Sequence, residues 1–232
     1  QMSEANVTWG SPRIRSELKM LGIEVAKSTV ERYMVKRPKP ASPTWRAFLA
    51  NHVACLASID FFTVPTVRNR VLYVCVVLAH LRRRVVHFAV TEHPTAAWTA
   101  RQVTEAFPWD TAPRYMIRDR DGIYGDVFRG RVKAMGIEEV LIAPRSPWQS
   151  PFVERLIGSV RRDCLDHVVV LNERHLRRVL KSYFSYYHDA RCHMSLDGDA
   201  PEHREVQPPA MGKVIEFPEV GGLHHRYVRR AA

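Results

Sequence analysis

Close cysteine pairs are missing from this chain. Its four cysteines stand at 55, 75, 164 and 192, with no Cys-x-x-Cys spacing. That excludes a disulfide-stapled scaffold and a zinc ribbon, and it is the pattern of reduced thiols in an intracellular protein. Long apolar runs are missing too. The longest, Val71 to Ala79, is nine residues, whereas a membrane-spanning helix needs about 20. The first twenty residues carry no signal-peptide-like apolar core. Repeats and low-complexity tracts are absent, so collagen, coiled-coil and mucin-like architectures are excluded. Acidic residues are in short supply: 24 against 35 basic ones, for a net charge of +11 in 232 residues. A field of that sign favours a polyanionic partner. Without a membrane segment, nucleic acid is the expected one.

The excess is not spread evenly. Residues 1–47 carry a net +5, residues 48–190 a net +6 and residues 191–232 a net of zero. Residues 1–40 read as helix, turn, helix and a basic linker. Ser11-Pro12 is read as a cap and first turn, followed by Ile14, Leu18 and Leu21 at helical spacing, with a stop at Gly22. Ser28 is a second cap candidate, ahead of Val30, Tyr33 and Met34. Lys36-Arg37-Pro38-Lys39-Pro40 cannot be helical and forms the linker. This is part of a helix-turn-helix, with Lys27 and Arg32 as candidate DNA contacts, or a hairpin that merely packs. Opening as it does on helix-like sequence, the chain reads as a fragment lacking upstream elements.

Residues 48–190 alternate between strand and helix signals. Strands are expected over 57–64, 71–79, 85–90, 115–118 and 140–143. The second, continuously apolar and β-branched, should be buried on both faces. Helices are expected after Pro94-Thr95 and over Asp126 to Met135. Two more follow a proline-rich loop, Pro144 to Pro151. Three strands in succession, then helix, strand, helix, strand, make an α/β fold: a mixed five-stranded sheet flanked by helices. Residues 191–232 form a C-terminal extension of unknown order.

Three acids stand out. Asp60 lies inside the first strand between Ile59 and Phe61, where an ionised carboxylate is costly unless paired, bonded or metal-bound. Asp119 sits at the end of the fourth strand, where ligands gather in α/β sheets. Glu154 sits near the start of the helix after the loop, and no capping box accounts for it, because the residue three after Ser150 is Val153. Each has a plain alternative: a strand-end turn, an Asp-Gly turn around Asp121, a helix-dipole role. Together, with 34 residues between Asp119 and Glu154, they form the pattern of a DDE active site. Gly158, Arg161 and Arg162 are expected to share the helical stripe of Glu154.

On these residues the stretch from about 48 to 200 resembles the catalytic core of retroviral-type integrases and bacterial insertion-sequence transposases. Asp119-Arg120…Tyr124 is similar to the family's Asp-bearing motif, Ser150-Pro151-Phe152-Val153-Glu154 to its glutamate helix, and Tyr186-Tyr187…Arg191…His193…Ser195-Leu196…Pro201 to the tail motif of bacterial members. The segment Trp9 to Arg15 looks like the preceding helix-turn-helix. The Asp119-to-Glu154 spacing is one residue short of the usual one, and the asparagine before the glutamate is replaced by Gln149 or Ser150. The resemblance implies a ribonuclease-H-like fold and Asp60, Asp119 and Glu154 as catalytic, metal-binding carboxylates for Mg²⁺ or Mn²⁺, two ions in all. It further implies cleavage of double-stranded DNA with transfer of a 3′-hydroxyl, a homo-oligomer on DNA, and residence in the bacterial cytoplasm at the nucleoid. Arg120, Arg145, Arg161 and Arg162 join Lys27 and Arg32 as expected DNA contacts. The alternative is a catalytically inactive, DNA-binding remnant of a mobile element or a repressor. His188 and His193 are read as helix-end residues, and Arg82-Arg83-Arg84 as a solvated hairpin.

Overall fold

The computed structural model describes residues 2–6, 9–34, 43–144 and 146–231. The linker residues 36–40 and Arg145 lie outside the described residues. The chain divides into two compact units, Gln1–Ser42 and Pro43–Ala232.

The first unit holds a helical turn, α1 (Met2–Ala5), then α2 (Ser11–Met20) and α3 (Lys27–Tyr33). Ile14 and Val30 bury against each other's helices. Neither expected serine is a cap. The N-caps are Gly10 and Ala26, each without a side-chain cap bond, which places Ser11 and Ser28 inside their helices. The Ser11 hydroxyl instead donates to Glu31 on α3 at 2.9 Å, a tertiary bond that outcompetes the local one. Lys27 pairs with Glu31 at 3.4 Å.

The second unit opens with α4 (Pro43–His52) and builds a five-stranded sheet. Its strands are β1 (Leu56–Pro65), β2 (Val71–Ala79), β3 (Arg84–Thr91), β4 (Tyr115–Arg118) and β5 (Glu138–Leu141), in the order β3-β2-β1-β4-β5. β1 pairs antiparallel with β2 and parallel with β4, and β4 pairs parallel with β5. This is the expected mixed sheet. β5 starts two residues earlier than the apolar run suggested, because Glu138 and Glu139 enter the ladder opposite Tyr115 and Met116.

Alternation along β2 assigns its faces. Leu72, Val74, Val76 and Leu78 join one core with α7 (Pro151–Asp163) and α8 (Glu173–Asp189). Cys75 and Val77 join the other, with α5 (Ala96–Ala106) and α6 (Asp126–Ala134). The strand is therefore buried on both sides, as its unbroken apolar run requires. From α7, Val153, Leu156, Ile157 and Val160 are buried on the first face. At roughly 1.5–3 kcal/mol each, they fix how this helix lies.

Residues 213–230, in the extension whose order the sequence leaves open, form a β-hairpin, β6 (Lys213–Glu219) and β7 (His224–Arg230). His224 stacks on Tyr186 of α8 and bonds the Asp163 carbonyl at 2.7 Å. The arginines at 82–84 are not simply solvated. Arg82 binds Asp199 and the carbonyls of Ala200 and Pro201, tying the tail motif to the sheet. His188 accepts a hydrogen bond from the Val85 amide at 3.0 Å.

His80 is buried beside Ser58, with Nε2 to Oγ at 2.7 Å. Burial, aided by the Arg83 charge, depresses it to about 3. The folded state therefore keeps this imidazole neutral, while the unfolded chain protonates it near pH 6.5. Between those values the unfolded state binds more protons, so this residue's contribution to stability falls as pH drops below about 6.5. The urea midpoint difference between wild type and His80→Gln should shrink steadily from pH 7 to pH 4. A difference independent of pH would show that His80 is not held neutral.

Candidate active site

Continuing the β1–β4 register from Ser58 opposite Ile117 by two residues sets Asp60 abreast of Asp119. Asp60 shares its strand face with Phe62 and Val64, the face that α7 covers. Glu154 occupies the first turn of α7. The three carboxylates thus come from one strand, the end of its parallel neighbour and the helix laid across them. They line a single cleft of about 340 Å³ with Arg120, Asp121 and Ser150.

Each support is local and specific. Tyr124 is buried, its hydroxyl donates to the Ile59 carbonyl at 3.4 Å, and the Arg118 guanidinium lies 5.0 Å from its ring centre. That pins the 119–125 turn to the backbone next to Asp60. Asp119 accepts from the Asp121 amide at 3.1 Å, and Asp121 from the Ile123 amide at 2.9 Å, two successive Asx turns. The turn reading of Asp121 holds, and the same chemistry orients Asp119. At the start of α7, Phe152 sits edge-on to His80 and under the Arg83 guanidinium, 3.6 Å from its ring centre. Ser150 is the N-cap residue but makes no side-chain cap bond. The proline-rich loop is fastened by Gln149: its side chain accepts from the Ala143 amide at 2.6 Å, and its carbonyl accepts from Trp45 Nε1 at 3.1 Å. Trp45 on α4 is thus an indole that anchors it.

Electrostatics mark the cleft. Burial pushes Asp60 up to about 7, against a hydrogen bond from the Phe61 amide, and the charges of Glu154, Asp119 and Asp121 add to the rise. Glu154 is raised by burial and by Asp119. These are like charges confined together. Among the described residues, no three His, Cys, Asp or Glu side chains are gathered tightly enough to hold one metal ion. The donor set nevertheless suits hard divalent cations: carboxylate oxygens in one cleft whose mutual repulsion a cation would relieve.

The basic candidates separate. Arg120 lines the cleft and donates to the Ile142 carbonyl at 3.2 Å. Arg161 reaches the Thr63 carbonyl at 3.2 Å and covers Phe62. Arg162 does not share the Glu154 stripe; it lines a different pocket. Eight positions of an α-helix overshoot two full turns by roughly 80°, whereas seven come within about 20°. Lys27 and Arg32 belong to the first unit. Ser146 and Ser150, both buried, also line the cleft; nothing in their sequence context marks them beyond nearness to Glu154.

Residues 135–201 match the model of a family described as the integrase core domain. That stretch contains Glu154 but neither aspartate. The chain is 25% identical over 139 residues to an uncharacterized 39.2 kDa protein of insertion element IS476 from Xanthomonas euvesicatoria, covering 60% of this chain and 40% of that protein. It therefore spans well under half of that relative. A chain of the simian T-cell lymphotropic virus intasome, solved with the PP2A regulatory subunit B56 gamma, superposes with a TM-score of 0.54 at 12% identity, covering 98% of this chain and 86% of that one. The Mos1 transposase catalytic domain, solved with raltegravir and Mg, gives 0.52 at 15% identity, covering 61% and 79%. The chain shares the fold of these integrase and transposase cores, a mixed five-stranded sheet of ribonuclease-H-like topology. Among the described residues no helix is long and apolar enough to cross a membrane.

If like-charge crowding governs the acidic cleft, Asp60→Asn should raise stability in chelator at pH 8, by on the order of 1 kcal/mol. Denaturant unfolding checks this. An unchanged or lowered midpoint would mean that Asp60 is not crowded.

Proposed function

We propose that this integrase-type core cleaves DNA strands in a divalent-metal-dependent reaction and transfers a 3′-hydroxyl onto target DNA, as part of the movement of a genetic element. The observation that carries the reading is the meeting of Asp60, Asp119 and Glu154 in one cleft, on a fold shared with integrase and transposase cores.

Asp60, Asp119 and Glu154 would hold Mg²⁺ or Mn²⁺, two ions in all. Those cations supply activation of a water or 3′-hydroxyl and neutralisation of the leaving oxygen. Solved relatives of the same fold were determined with Mg or Mn, which agrees with the donor set here. The chain's own residues position the strand. Asp119, fixed by its Asx turn, and Asp60, held in the β1 ladder, stay in place without reorganising. Arg120, on the same cleft, meets the scissile phosphate's charge, and Arg161 meets a neighbouring backbone phosphate. Arg145, at the loop, and Arg162 add phosphate contacts, with Lys27 and Arg32 of the first unit reading the duplex. Contacts of this kind are sequence-independent and salt-sensitive. No side chain serves as a covalent nucleophile, since the attacking oxygen comes from water or from DNA. Work on paired DNA ends calls for two such sites, hence a homo-oligomer on double-stranded DNA, in the bacterial cytoplasm where the nucleoid lies.

Asp119→Asn should reduce Mg²⁺-dependent nicking of duplex DNA to background while leaving DNA binding within about twofold. Nicking assays and anisotropy on the same preparation decide it. Nicking at wild-type rate would remove Asp119 from the site; no nicking by the wild type with DNA binding intact would leave a DNA-binding role without catalysis.

A further inference from the structure

A second cavity, of about 250 Å³, opens on α7 away from the acidic cleft. Its polar lining includes Arg83, Arg155, Ser159, Arg162, Arg191 and His193, with no acid among the lining residues. Arg155 and Arg162 are seven positions apart, so they stand on one helical stripe, roughly a quarter turn from the stripe of Glu154 and Arg161. Arg83 comes from the turn between β2 and β3, and Arg191 from the segment after α8. Four guanidinium groups from three parts of the chain thus converge.

Most of that charge is uncompensated. Arg191 is paired with Asp163 at 3.1 Å. Arg83 spends one N–H on the His80 carbonyl. Among the described residues, Arg83, Arg155 and Arg162 make no ion pair with a carboxylate. His193, 7% exposed, sits in the wall with its Nε2 unbonded to any described residue. Holding like charges around a concave surface is unfavourable unless an anion enters. The fold nonetheless holds them there: Phe152 stacks beneath Arg83, and Asp163 fixes Arg191.

We propose that this pocket is an anion site that binds a phosphate group. Planar guanidinium forks match the oxygens of phosphate, and several forks around one centre suit a tetrahedral group better than a two-oxygen carboxylate. The cavity is below the usual size for a drug-like ligand, so it takes one charged group and not a whole nucleotide. Either a nucleic-acid backbone or free inorganic phosphate supplies that chemistry. The site does not depend on the acidic cleft being catalytic.

The test uses the full chain in chelator. Binding of a labelled duplex oligonucleotide is followed by anisotropy over a salt series, and inorganic phosphate is titrated calorimetrically. Two variants address the pocket: Arg155→Gln with Arg162→Gln, and Met194→Glu, which sets a carboxylate at the rim where Met194 is 92% exposed. For a backbone phosphate, the double variant weakens the duplex about tenfold per arginine and lowers the salt slope by roughly two. Met194→Glu weakens it too, and Met194→Gln does not. For free phosphate, wild type binds phosphate, both pocket variants lose that binding, and Met194→Glu leaves duplex affinity unchanged. Asp119→Asn should leave the phosphate response intact in either case, so loss of nicking and loss of this site are read separately. If neither duplex nor phosphate affinity moves in the double variant or in Met194→Glu, the proposal is overturned.

Discussion

The packing of α7 across β1 and β2 is the constraint on which the rest of this core depends. Val153, Leu156, Ile157 and Val160 are buried together against strand residues such as Phe62, Val74 and Val76. That apolar stripe leaves the helix little rotational freedom, because turning it would expose several buried side chains at once. Once the stripe is seated, every other face of α7 has its direction set. Glu154 is carried to Asp60, inside β1, and to Asp119, at the end of β4, and Phe152 is wedged between His80 and Arg83.

One helix therefore serves two surfaces of opposite charge. On one side lies a crowded carboxylate cleft, in which burial and like charge lift Asp60 to about 7. A quarter turn away lie guanidinium groups with too few acids to pair them. Both arrangements oppose folding stability when empty. They are tolerated because the sheet beneath them is buried on both faces and supplies the compensating apolar burial. Charge segregation on so short a scale also explains why the net charge of +11 says little about any one site.

Much of the fold was legible in the sequence. The unbroken apolar run of β2, the alternation in β1 and the amphipathic stripes of α7 and α8 each follow from a local periodicity that burial enforces. The three carboxylates were legible as candidates only together, through their order and spacing, since each alone has a plain local alternative. What failed was local chemistry overridden by distant partners. Ser11 reads as a cap, yet bonds Glu31. Arg82 reads as a solvated turn residue, yet ties down residues more than a hundred positions away. Residues 213–230 carry no clear order signal in the sequence, yet pair as a hairpin seated on Tyr186.

The sequence by itself determined the element types and the two-faced burial of the central strand, since both follow from side-chain periodicity, and it offered the three acids as candidates. Only the tertiary structure decided that the arginines of α7 divide between two surfaces, and that Arg83 and Arg191 join one of them. Which side chains share a concave surface depends on how helices and turns far apart in the chain are rotated and packed, and no local pattern encodes that.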